Sequence, residues 1–326
     1  MIRARIIGTG HYLPEKVVTN FDLEKIMDTT DEWIRQRTGI HQRHVAAEDQ
    51  AVSDLGLEAA RRAVADAGIA AEEIDYVLTA TLTPDYFMPS AACLIQHRLG
   101  ATHAAASDIN AACSGFVYAL QMADALIRAG VHKTILVVAA EVLSVRVDWS
   151  KRETAVLFGD GAGAVVLRGE EGERGILTTF TGSDGGAWDI LVIHAGGSHT
   201  PVTPLNATTL DLGITMNGRE LYKRAVNAFG EAVDKALGNL QLTGEDLALF
   251  IPHQANERII TSATKRIGLA DEKVYLNLNK CANTSAASIP IALDQAKSQG
   301  RIKDGDLVLM AAFGGGLTWG SAVVRW

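Results

Sequence analysis

The sequence predicts an α/β protein built from two similar halves, and three observations support this fold class. Short apolar runs recur late in the chain: residues 73–78 resemble residues 246–251, which lie 173 positions further on, and residues 135–140 resemble residues 307–312, which lie 172 positions further on. Between the paired runs, each half contains a segment whose apolar residues have helical spacing. Near the end of each half, a glycine-rich segment leads directly into a last apolar run.

Each of these segments has a physical reason for its assignment. The apolar runs are short and continuous, which is typical of strands covered on both faces. Residues 113–129 and 284–299 have helical spacing, and each segment is followed by a glycine, a frequent signal for a helix end. Because the same mixed βα order occurs twice, equivalent positions are expected to meet near a pseudo-two-fold axis. We therefore divide the chain into residues 1–172 and residues 173–326, two halves that share one core.

Composition and charge limit the classes of function. The net charge of −8 over 326 residues argues against a broad surface for nucleic acid or anionic membranes. The three cysteines (Cys93, Cys113 and Cys281) lack CxxC spacing, so neither a disulfide framework nor a metal site is expected. No apolar stretch has the length of a signal peptide or a membrane span. These observations predict a reduced, cytoplasmic protein without nucleic-acid, membrane or metal binding.

Cys113 is a candidate nucleophile because it lies where a short predicted strand gives way to a helix of small residues. Unpaired N–H groups and the positive end of the helix dipole favour a thiolate at such a position. Neighbouring N–H groups can also hold an oxyanion. The alternative is that Cys113 is a small buried apolar residue, which Cys93 and Cys281 resemble more closely. Spacing alone leaves both interpretations open.

Two further polar residues lie where α/β folds place catalytic groups. His253 directly follows the apolar run 246–251, and a histidine there can donate or accept a proton near neutral pH. A hydrogen-bonded structural histidine is the alternative. Asn283 lies at a helix start that matches the helix start at Cys113 by the repeat spacing, with a helix N-cap as the alternative. If the halves are related, Cys113 and Asn283 converge on one pocket.

Four segments that occur in order form a set of motifs: Ala112-Cys113-Ser114-Gly115-Phe116, Pro252-His253-Gln254-Ala255-Asn256, and residues 283–288 and 313–321. Together they resemble β-ketoacyl-[acyl carrier protein] synthase III, the initiating condensing enzyme of bacterial fatty acid synthesis. Residues 28–34, 37–40 and 158–163 match as well, and the similarity runs from Ile7 to the last residue. The resemblance implies a thiolase-like fold, a five-layered αβαβα duplication, in agreement with the repeat described above.

The resemblance also implies the reaction and its participants. Cys113 would take an acyl group from acyl-CoA, and His253 with Asn283 would assist decarboxylation of malonyl-acyl carrier protein. The resulting carbanion would attack the Cys113 thioester and release a 3-oxoacyl-carrier protein. Two donors aimed at the thioester oxygen suit this chemistry, since decarboxylation builds negative charge there. The N–H groups of Cys113 and Gly315 are implied as the oxyanion hole of a homodimer that needs no cofactor.

Three sets of binding residues follow from the same resemblance. The CoA-binding set is Trp33, Arg37, Arg152, Gly218 and Asn256. The acyl pocket is Met88, Leu143, Phe158, Leu191 and Phe313. The docking surface for the carrier protein is Lys223, Gln254, Arg258, Lys265 and Arg266. The basic members of the last set lie on helices predicted to flank His253, where a solvated helix face is the alternative.

Two positions depart from the commonest family pattern. Cys281 and Ala282 occupy places where an aromatic residue or histidine, followed by glycine, usually precedes the asparagine. Met88 stands where acetyl-preferring members carry phenylalanine, at a position contributed across the family's dimer interface. A flexible thioether there can admit a longer primer, so acetyl preference does not follow from the resemblance.

Two rival functions are considered beside this one. A specialised homologue could join an acyl group to another acceptor, as in quinolone or polyketide pathways. A non-catalytic acyl-CoA-binding partner subunit is the rival from another class. The presence of Cys113, His253 and Asn283 argues against the latter, because a binding module needs no nucleophile.

Overall fold

The first half of the chain forms a five-stranded mixed sheet. The computed structural model describes the backbone of residues 1–326 and all side chains except that of Arg266. The strands are Ile2–Tyr12 (β1), Lys16–Thr19 (β2), Gln42–Val45 (β3), Tyr76–Ala80 (β4), Ala105–Ile109 (β5), Thr134–Glu141 (β6) and Gly161–Glu171 (β7). The helices are Asn20–Leu23 (α1), Asp31–Thr38 (α2), Val52–Ala67 (α3), Ala91–Leu99 (α4), Gly115–Arg128 (α5) and Arg152–Ala155 (α6). The sheet order is β1-β7-β6-β4-β5, and β2 pairs with β3 in a separate ribbon.

The second half repeats this arrangement with one strand fewer. Its strands are Gly175–Ser183 (β8), Leu191–Ile193 (β9), Ile214–Met216 (β10), Leu249–Pro252 (β11), Leu307–Gly314 (β12) and Thr318–Arg325 (β13). Its helices are Gly218–Leu240 (α7), Glu257–Arg266 (α8), Leu278–Cys281 (α9) and Ser288–Ser298 (α10). The sheet order β8-β13-β12-β11 matches β1-β7-β6-β4 strand for strand. A single parallel bridge between Phe250 and Val274 takes the place of the β4–β5 pairing.

Strand directions confirm the duplication that the apolar runs predicted. In the first sheet β4 and β6 are parallel, and β7 is antiparallel to both β6 and β1. In the second sheet β11 and β12 are parallel, and β13 is antiparallel to both β12 and β8. The predicted strand at 73–78 begins later than expected, because residues Ala71–Glu73 form a 3₁₀ turn and β4 starts at Tyr76.

The two sheets enclose a central layer formed by α5 and α10. Phe116 and Leu120 of α5, with Ile289 and Leu293 of α10, are fully or almost fully buried in one apolar cluster that includes residues of both sheets. Helices α3 and α4 cover the outer face of the first sheet, and α7 and α8 cover that of the second. The layers therefore run αβαβα, which confirms the thiolase-like fold.

The central helices begin in matched strained turns. Ala112 and Ser285 both have a positive φ, 46° and 50°, and each opens a short 3₁₀ turn that leads into α5 or α10. The turns are 173 positions apart, so the structural counterpart of Cys113 is Ala286, as the spacing of the first pair of apolar runs predicts, and not Ser285, as the 172-position spacing of the second pair predicts. These turns bring the two halves together beside Cys113.

Candidate active site

Cys113 lies where two cavities meet. A cavity of about 680 Å³ is lined by Cys113, His253 and Asn283, and a second of about 550 Å³ reaches Cys113 from the other side. Phe158 and Leu191 line both cavities and narrow the passage between them. The expected convergence of the cysteine, histidine and asparagine on one pocket is therefore present in the structure.

The surroundings of the Cys113 thiol keep it protonated in the free protein. The pKa of the thiol is raised to about 11, chiefly by burial, and the carboxyl group of Glu141 also acts to raise it. The Ser285 hydroxyl and the backbone N–H groups of Cys113 and Gly315 act in the opposite direction. The sequence predicted that the helix start would favour the thiolate, but the loss of water around the sulfur outweighs that effect.

The backbone of β12 passes unusually close to Cys113. A side chain added at Gly314 would meet the backbone nitrogen of Cys113 at 2.7 Å, so glycine is required for this approach. The next residue, Gly315, lines the smaller cavity beside Cys113. The close passage brings two backbone N–H groups, those of Cys113 and Gly315, next to the sulfur.

His253 is held in one orientation at the end of β11. Its Nδ1 lies 2.6 Å from the hydroxyl of Ser288, which also accepts a hydrogen bond from the backbone N–H of Gln254. We assign the Ser288 hydroxyl as the donor to Nδ1, which leaves the ring proton on Nε2. Burial lowers the pKa of His253 to about 3, so the imidazole is neutral near physiological pH. A neutral His253 is thus a hydrogen-bond donor rather than a cation.

Asn283 supports a turn and lines the larger cavity with the same side chain. Its Oδ1 accepts a hydrogen bond of 2.8 Å from the backbone N–H of Ser285. This bond orients the amide so that the NH₂ group is left to donate elsewhere. Asn110, 173 positions earlier, accepts a comparable bond of 3.2 Å from Ala112. The asparagine turn is therefore a feature of both halves, whereas only Asn283 of the two asparagines lines the larger cavity with His253 and Cys113.

The predicted CoA-binding residues gather at the outer mouth of the larger cavity. The guanidinium carbon of Arg152 lies 4.5 Å from the centre of the Trp33 ring, and that of Arg37 lies 5.9 Å from it. Trp33, Arg37, Gly218 and Asn256 line the cavity, and Arg152 reaches it through its contact with Trp33. The amide of Asn256 donates to the carbonyl of Arg37 and caps α8, so it also fixes the shape of this mouth.

The acyl-pocket residues divide into two groups. Phe158, Leu191 and Phe313 line the larger cavity, and Leu143 lines the smaller one, which Phe158 and Leu191 share. Met88 lines neither cavity, and 87% of it is exposed on a surface loop. Its assignment to an acyl pocket stays a prediction that requires a second copy of the chain.

The docking set is corrected at Gln254. This residue is fully buried: its amide donates to the carbonyls of Pro252 and Tyr275, and its oxygen accepts from the backbone of Asn277. A side chain used in this way cannot contact a docked protein, so the prediction is wrong for Gln254.

The other docking residues are on the surface where they are described. Lys223, Arg258 and Lys265 are exposed, and Lys223 and Arg258 line the mouth of the larger cavity. The side chain of Arg266 lies outside the described residues. Lys223 and Arg258 give this mouth a positive charge, which is complementary to an acidic partner.

Two buried residues near the site were missed by the sequence reasoning. Glu141 closes the otherwise apolar strand β6, and a carboxyl at the end of a buried strand was an available signal. Ser288, the partner of His253, is the first residue of α10, and nothing in the sequence distinguishes it from an ordinary helix residue. The Ser288–His253 bond lies within the second half, whereas Glu141 of the first half lies near Ser285 of the second.

The described part of the chain contains neither a cluster of metal ligands nor a membrane-spanning helix. No group of three or more His, Cys, Asp or Glu side chains among the described residues is arranged to hold a metal ion. None of the helices in the described residues is long and apolar enough to cross a membrane.

Comparisons with known proteins agree with the motifs. The family model for 3-oxoacyl-[acyl-carrier-protein (ACP)] synthase III matches residues 107–185, and the model for its C terminal matches residues 237–326. The chain is 49% identical over 325 residues to the β-ketoacyl-[acyl-carrier-protein] synthase III of Caldanaerobacter subterraneus subsp. tengcongensis, covering 100% of this chain and 98% of the relative. The resemblance inferred from the sequence is confirmed.

Two solved structures have the same fold over almost the whole chain. The crystal structure of 3-oxoacyl-[acyl-carrier-protein] synthase III from Aquifex aeolicus VF5 is 47% identical, with a TM-score of 0.92 and coverage of 99% of this chain and 100% of that one. The priming β-ketosynthase from the R1128 polyketide biosynthetic pathway is 34% identical, with a TM-score of 0.93 and coverage of 99% and 96%.

Proposed function

This chain belongs to the 3-oxoacyl-[acyl-carrier-protein] synthase III family, and on that premise we propose that Cys113, His253 and Asn283 perform its reaction. The reaction condenses an acyl-CoA primer with malonyl-acyl carrier protein, releases CO₂ and gives a 3-oxoacyl-acyl carrier protein, the first condensation of fatty acid synthesis. The observation that carries the proposal is the convergence of these three side chains on one cavity whose mouth is formed by Trp33 and Arg37.

The first half-reaction moves the acyl group from CoA to Cys113. The sulfur attacks the thioester carbonyl, a C–S bond to Cys113 forms, and the C–S bond to CoA breaks. Negative charge on the carbonyl oxygen in the transition state needs donors already in place, since these cost no reorganisation. The N–H groups of Cys113 and Gly315 beside the sulfur support this role. Trp33, Arg37 and Arg152 form a cation–aromatic cluster suited to a nucleotide.

The second half-reaction uses the side chains on the other wall. Loss of CO₂ from the malonyl group leaves an enolate whose thioester oxygen is negative. The Nε2–H of neutral His253 and the NH₂ group of Asn283 supply two hydrogen bonds for that oxygen. The carbanion then attacks the carbonyl carbon of the Cys113 thioester, and the C–S bond to Cys113 breaks after the new C–C bond forms. The departing Cys113 thiolate takes one proton from solvent, which restores the thiol.

The substrates, assembly and location belong to the same proposal. Exposed Lys223, Arg258 and Lys265 beside the cavity mouth support an acidic carrier protein as partner. Exposed apolar side chains on the loop that carries Met88 support a homodimer. The chemistry described above runs on side chains and backbone alone, so we propose a cofactor-independent enzyme. A cytoplasmic location stays a prediction from the sequence.

Intact-mass spectrometry tests the acylation site. Incubation with a series of acyl-CoAs should add one acyl mass per chain, mapped to the peptide that contains Cys113. Cys113→Ser should abolish the added mass, whereas the matched variant Cys93→Ser, at an exposed thiol outside both cavities, should retain it. Acylation of Cys93 or Cys281 in the unmodified protein would overturn the assignment. Transfer to an acceptor other than malonyl-carrier protein would instead favour the specialised acyltransferase.

A further inference from the structure

Glu141 is a carboxyl group buried where most proteins place an apolar residue. It ends strand β6, Thr134–Glu141, all of which is buried, and its own exposure is 0%. The carboxylate accepts hydrogen bonds from the Thr83 hydroxyl at 2.7 Å and from the Thr81 hydroxyl and the Leu82 N–H at 3.2 Å. Burying an ionisable group costs free energy unless hydrogen bonds compensate for the lost water. Such groups are frequent at functional sites.

Glu141 faces Cys113 rather than the outer helices. It lies on the same side of β6 as Ala139, whose side chain is part of the central core. Ser285 lines the smaller cavity together with Cys113, and its turn packs against β6, the strand that ends at Glu141. Its hydroxyl acts to lower the pKa of both the Glu141 carboxyl and the Cys113 thiol. In the described residues, Ser285 Oγ is buried without a well-aligned hydrogen-bond partner. Its hydroxyl is therefore free to turn between the two groups.

The backbone places Ser285 in this position at some cost. Its φ of 50° lies in the left-handed region, which a residue other than glycine seldom adopts. The turn Ser285–Ala287 packs against β6 and against the turn that holds Cys113. The related turn of the first half has alanine at this place, Ala112, with nearly the same φ. The second half therefore differs by one hydroxyl group, and that hydroxyl is the one beside Cys113.

We propose that Glu141 takes up the proton of the Cys113 thiol, through the hydroxyl of Ser285, as Cys113 attacks the acyl-CoA. The S–H proton passes to Ser285 Oγ while the Ser285 O–H proton passes to the Glu141 carboxylate. The sulfur bonds to the thioester carbonyl carbon, and the C–S bond to CoA breaks. The proton then returns along the same route to the sulfur of CoA, so Glu141 ends as it began. The inference rests on the proposed acylation of Cys113.

Other groups around Glu141 do not supply this function. Asp160 precedes Gly161, the β7 partner of Glu141, but its carboxylate accepts from the Ser144 hydroxyl and the Ala46 N–H instead. His253 is a weak base, because burial lowers its pKa to about 3. Burial raises the pKa of Glu141 to about 7, with hydrogen bonds from Thr83 and Leu82 opposing, so this carboxyl can accept and release a proton near neutral pH.

A purely electrostatic Glu141 would have the opposite effect on the rate of acylation. The negative charge of Glu141 raises the pKa of the Cys113 thiol. If that were its whole influence, Glu141→Gln would increase the thiolate fraction and speed acylation. As a proton acceptor, by contrast, Glu141 is needed for acylation at neutral pH, and its replacement slows the step by about 10²-fold or more. The sign of the change therefore separates the two roles.

The test measures the rate of acyl transfer to Cys113 in single turnovers, by quenching and intact mass, between pH 5 and 10. We expect the unmodified protein to gain rate as pH rises through about 7. Glu141→Gln and Ser285→Ala should both lose that rise and be about 10²-fold slower at pH 8, with the deficit shrinking towards pH 10 as hydroxide deprotonates the thiol. Alanine fits the backbone at 285, since Ala112 has the same conformation.

Thr83→Val separates proton transfer by Glu141 from a structural role of Glu141, because a structural role would not shift the pH midpoint of the acylation rate. It removes a hydrogen bond that lowers the pKa of Glu141, so the midpoint of the rate profile should shift to higher pH while the plateau is kept. Should Glu141→Gln fail to fold, Ser285→Ala and Thr83→Val decide the matter. Rates at pH 8 that are unchanged or faster in Glu141→Gln, or in Ser285→Ala, would overturn the relay. An unmodified protein that is never acylated at Cys113 would instead overturn the proposed function.

Discussion

His253 and Asn283 each offer one hydrogen-bond donor to the cavity that holds Cys113, and they are set there by different partners. Ser288 fixes the ring of His253, and the N–H of Ser285 fixes the amide of Asn283. Replacing His253 or Asn283 by alanine should cut malonyl decarboxylation by roughly 10²–10³, the effect of losing one oxyanion donor. Acylation of Cys113 should remain largely intact, because neither side chain supplies its oxyanion donors.

The pH dependence of the decarboxylation step follows from the same residue. Since burial lowers the pKa of His253 to about 3, the ring stays neutral and its Nε2–H stays available from pH 8 down to pH 5. Decarboxylation by the preformed acyl-enzyme should therefore be flat over this range. Separate assays of acylation and of CO₂ release would measure both effects. Equal loss in both steps for His253→Ala, or a rate that titrates near pH 6.5, would contradict the assignment.

Helices α7 and α8 carry the proposed docking surface on the outer face of the second sheet. An exposed ion pair contributes up to about 1 kcal/mol, so Lys223→Glu or Arg258→Glu should raise KM for malonyl-carrier protein by up to about fivefold. Salt should raise the KM of the unmodified enzyme as well, because it screens these charges. The rate of acylation by acyl-CoA in the same variants reports any effect of the reversed charges on the cavity mouth that Lys223 and Arg258 line. Lys16→Glu, on β2 away from both cavities, is the matched control. An unchanged KM in the double variant Lys223→Glu/Arg258→Glu would show that these residues form an ordinary solvated helix face.

Secondary structure was predictable from the sequence where a segment was continuously apolar. It was less predictable where contacts with distant segments determine the conformation. The apolar runs located β4, β6, β11 and β12, because strands buried on both faces need no alternation. The β2–β3 and β9–β10 pairings were not predicted, since their short strands carry no comparable signal. Gln254 shows the limit of transferring a motif residue by residue. It follows His253 in sequence, yet its side chain turns inward and forms hydrogen bonds with the backbone of Pro252, Tyr275 and Asn277.

The two halves have the same backbone arrangement at the site but different side chains at equivalent positions. Asn110 and Asn283 hold equivalent turns, while Cys113 corresponds to Ala286 and Ser285 to Ala112. Repeat spacing predicted that these turns meet, and the structure confirms it. Repeat spacing could not predict that Glu141 lies near the site, because Glu141 belongs to the first half and Ser285 to the second. We retain the division at residues 172 and 173 as a proposal, supported by β7 ending at Glu171 and β8 beginning at Gly175.

The chain as a whole presents an apolar surface that one copy does not cover. Tyr86, Phe87 and Met88 are 61%, 87% and 87% exposed on consecutive positions of one loop. Three such side chains in water are unfavourable, and a second copy that buried them would place Met88 against its partner. We predict that Met88 limits the length of the acyl chain in this arrangement. Sedimentation at concentrations down to the nanomolar range should show a dimer, and a monomer throughout would remove the premise.

Within that dimer, Met88 should permit primers longer than acetyl. Its three rotatable bonds allow it to swing aside, and each further buried methylene then contributes about 0.8 kcal/mol, or roughly fourfold in affinity. Met88→Phe should narrow the range towards acetyl, because a phenyl ring is a more rigid wall. The measurement is kcat/KM over a straight-chain acyl-CoA series, with Met122→Phe, the same change at an exposed position of α5, as the control. An enzyme already strict for acetyl, with a profile untouched by Met88→Phe, would show that Leu143, Leu191 and the neighbouring wall set the length instead.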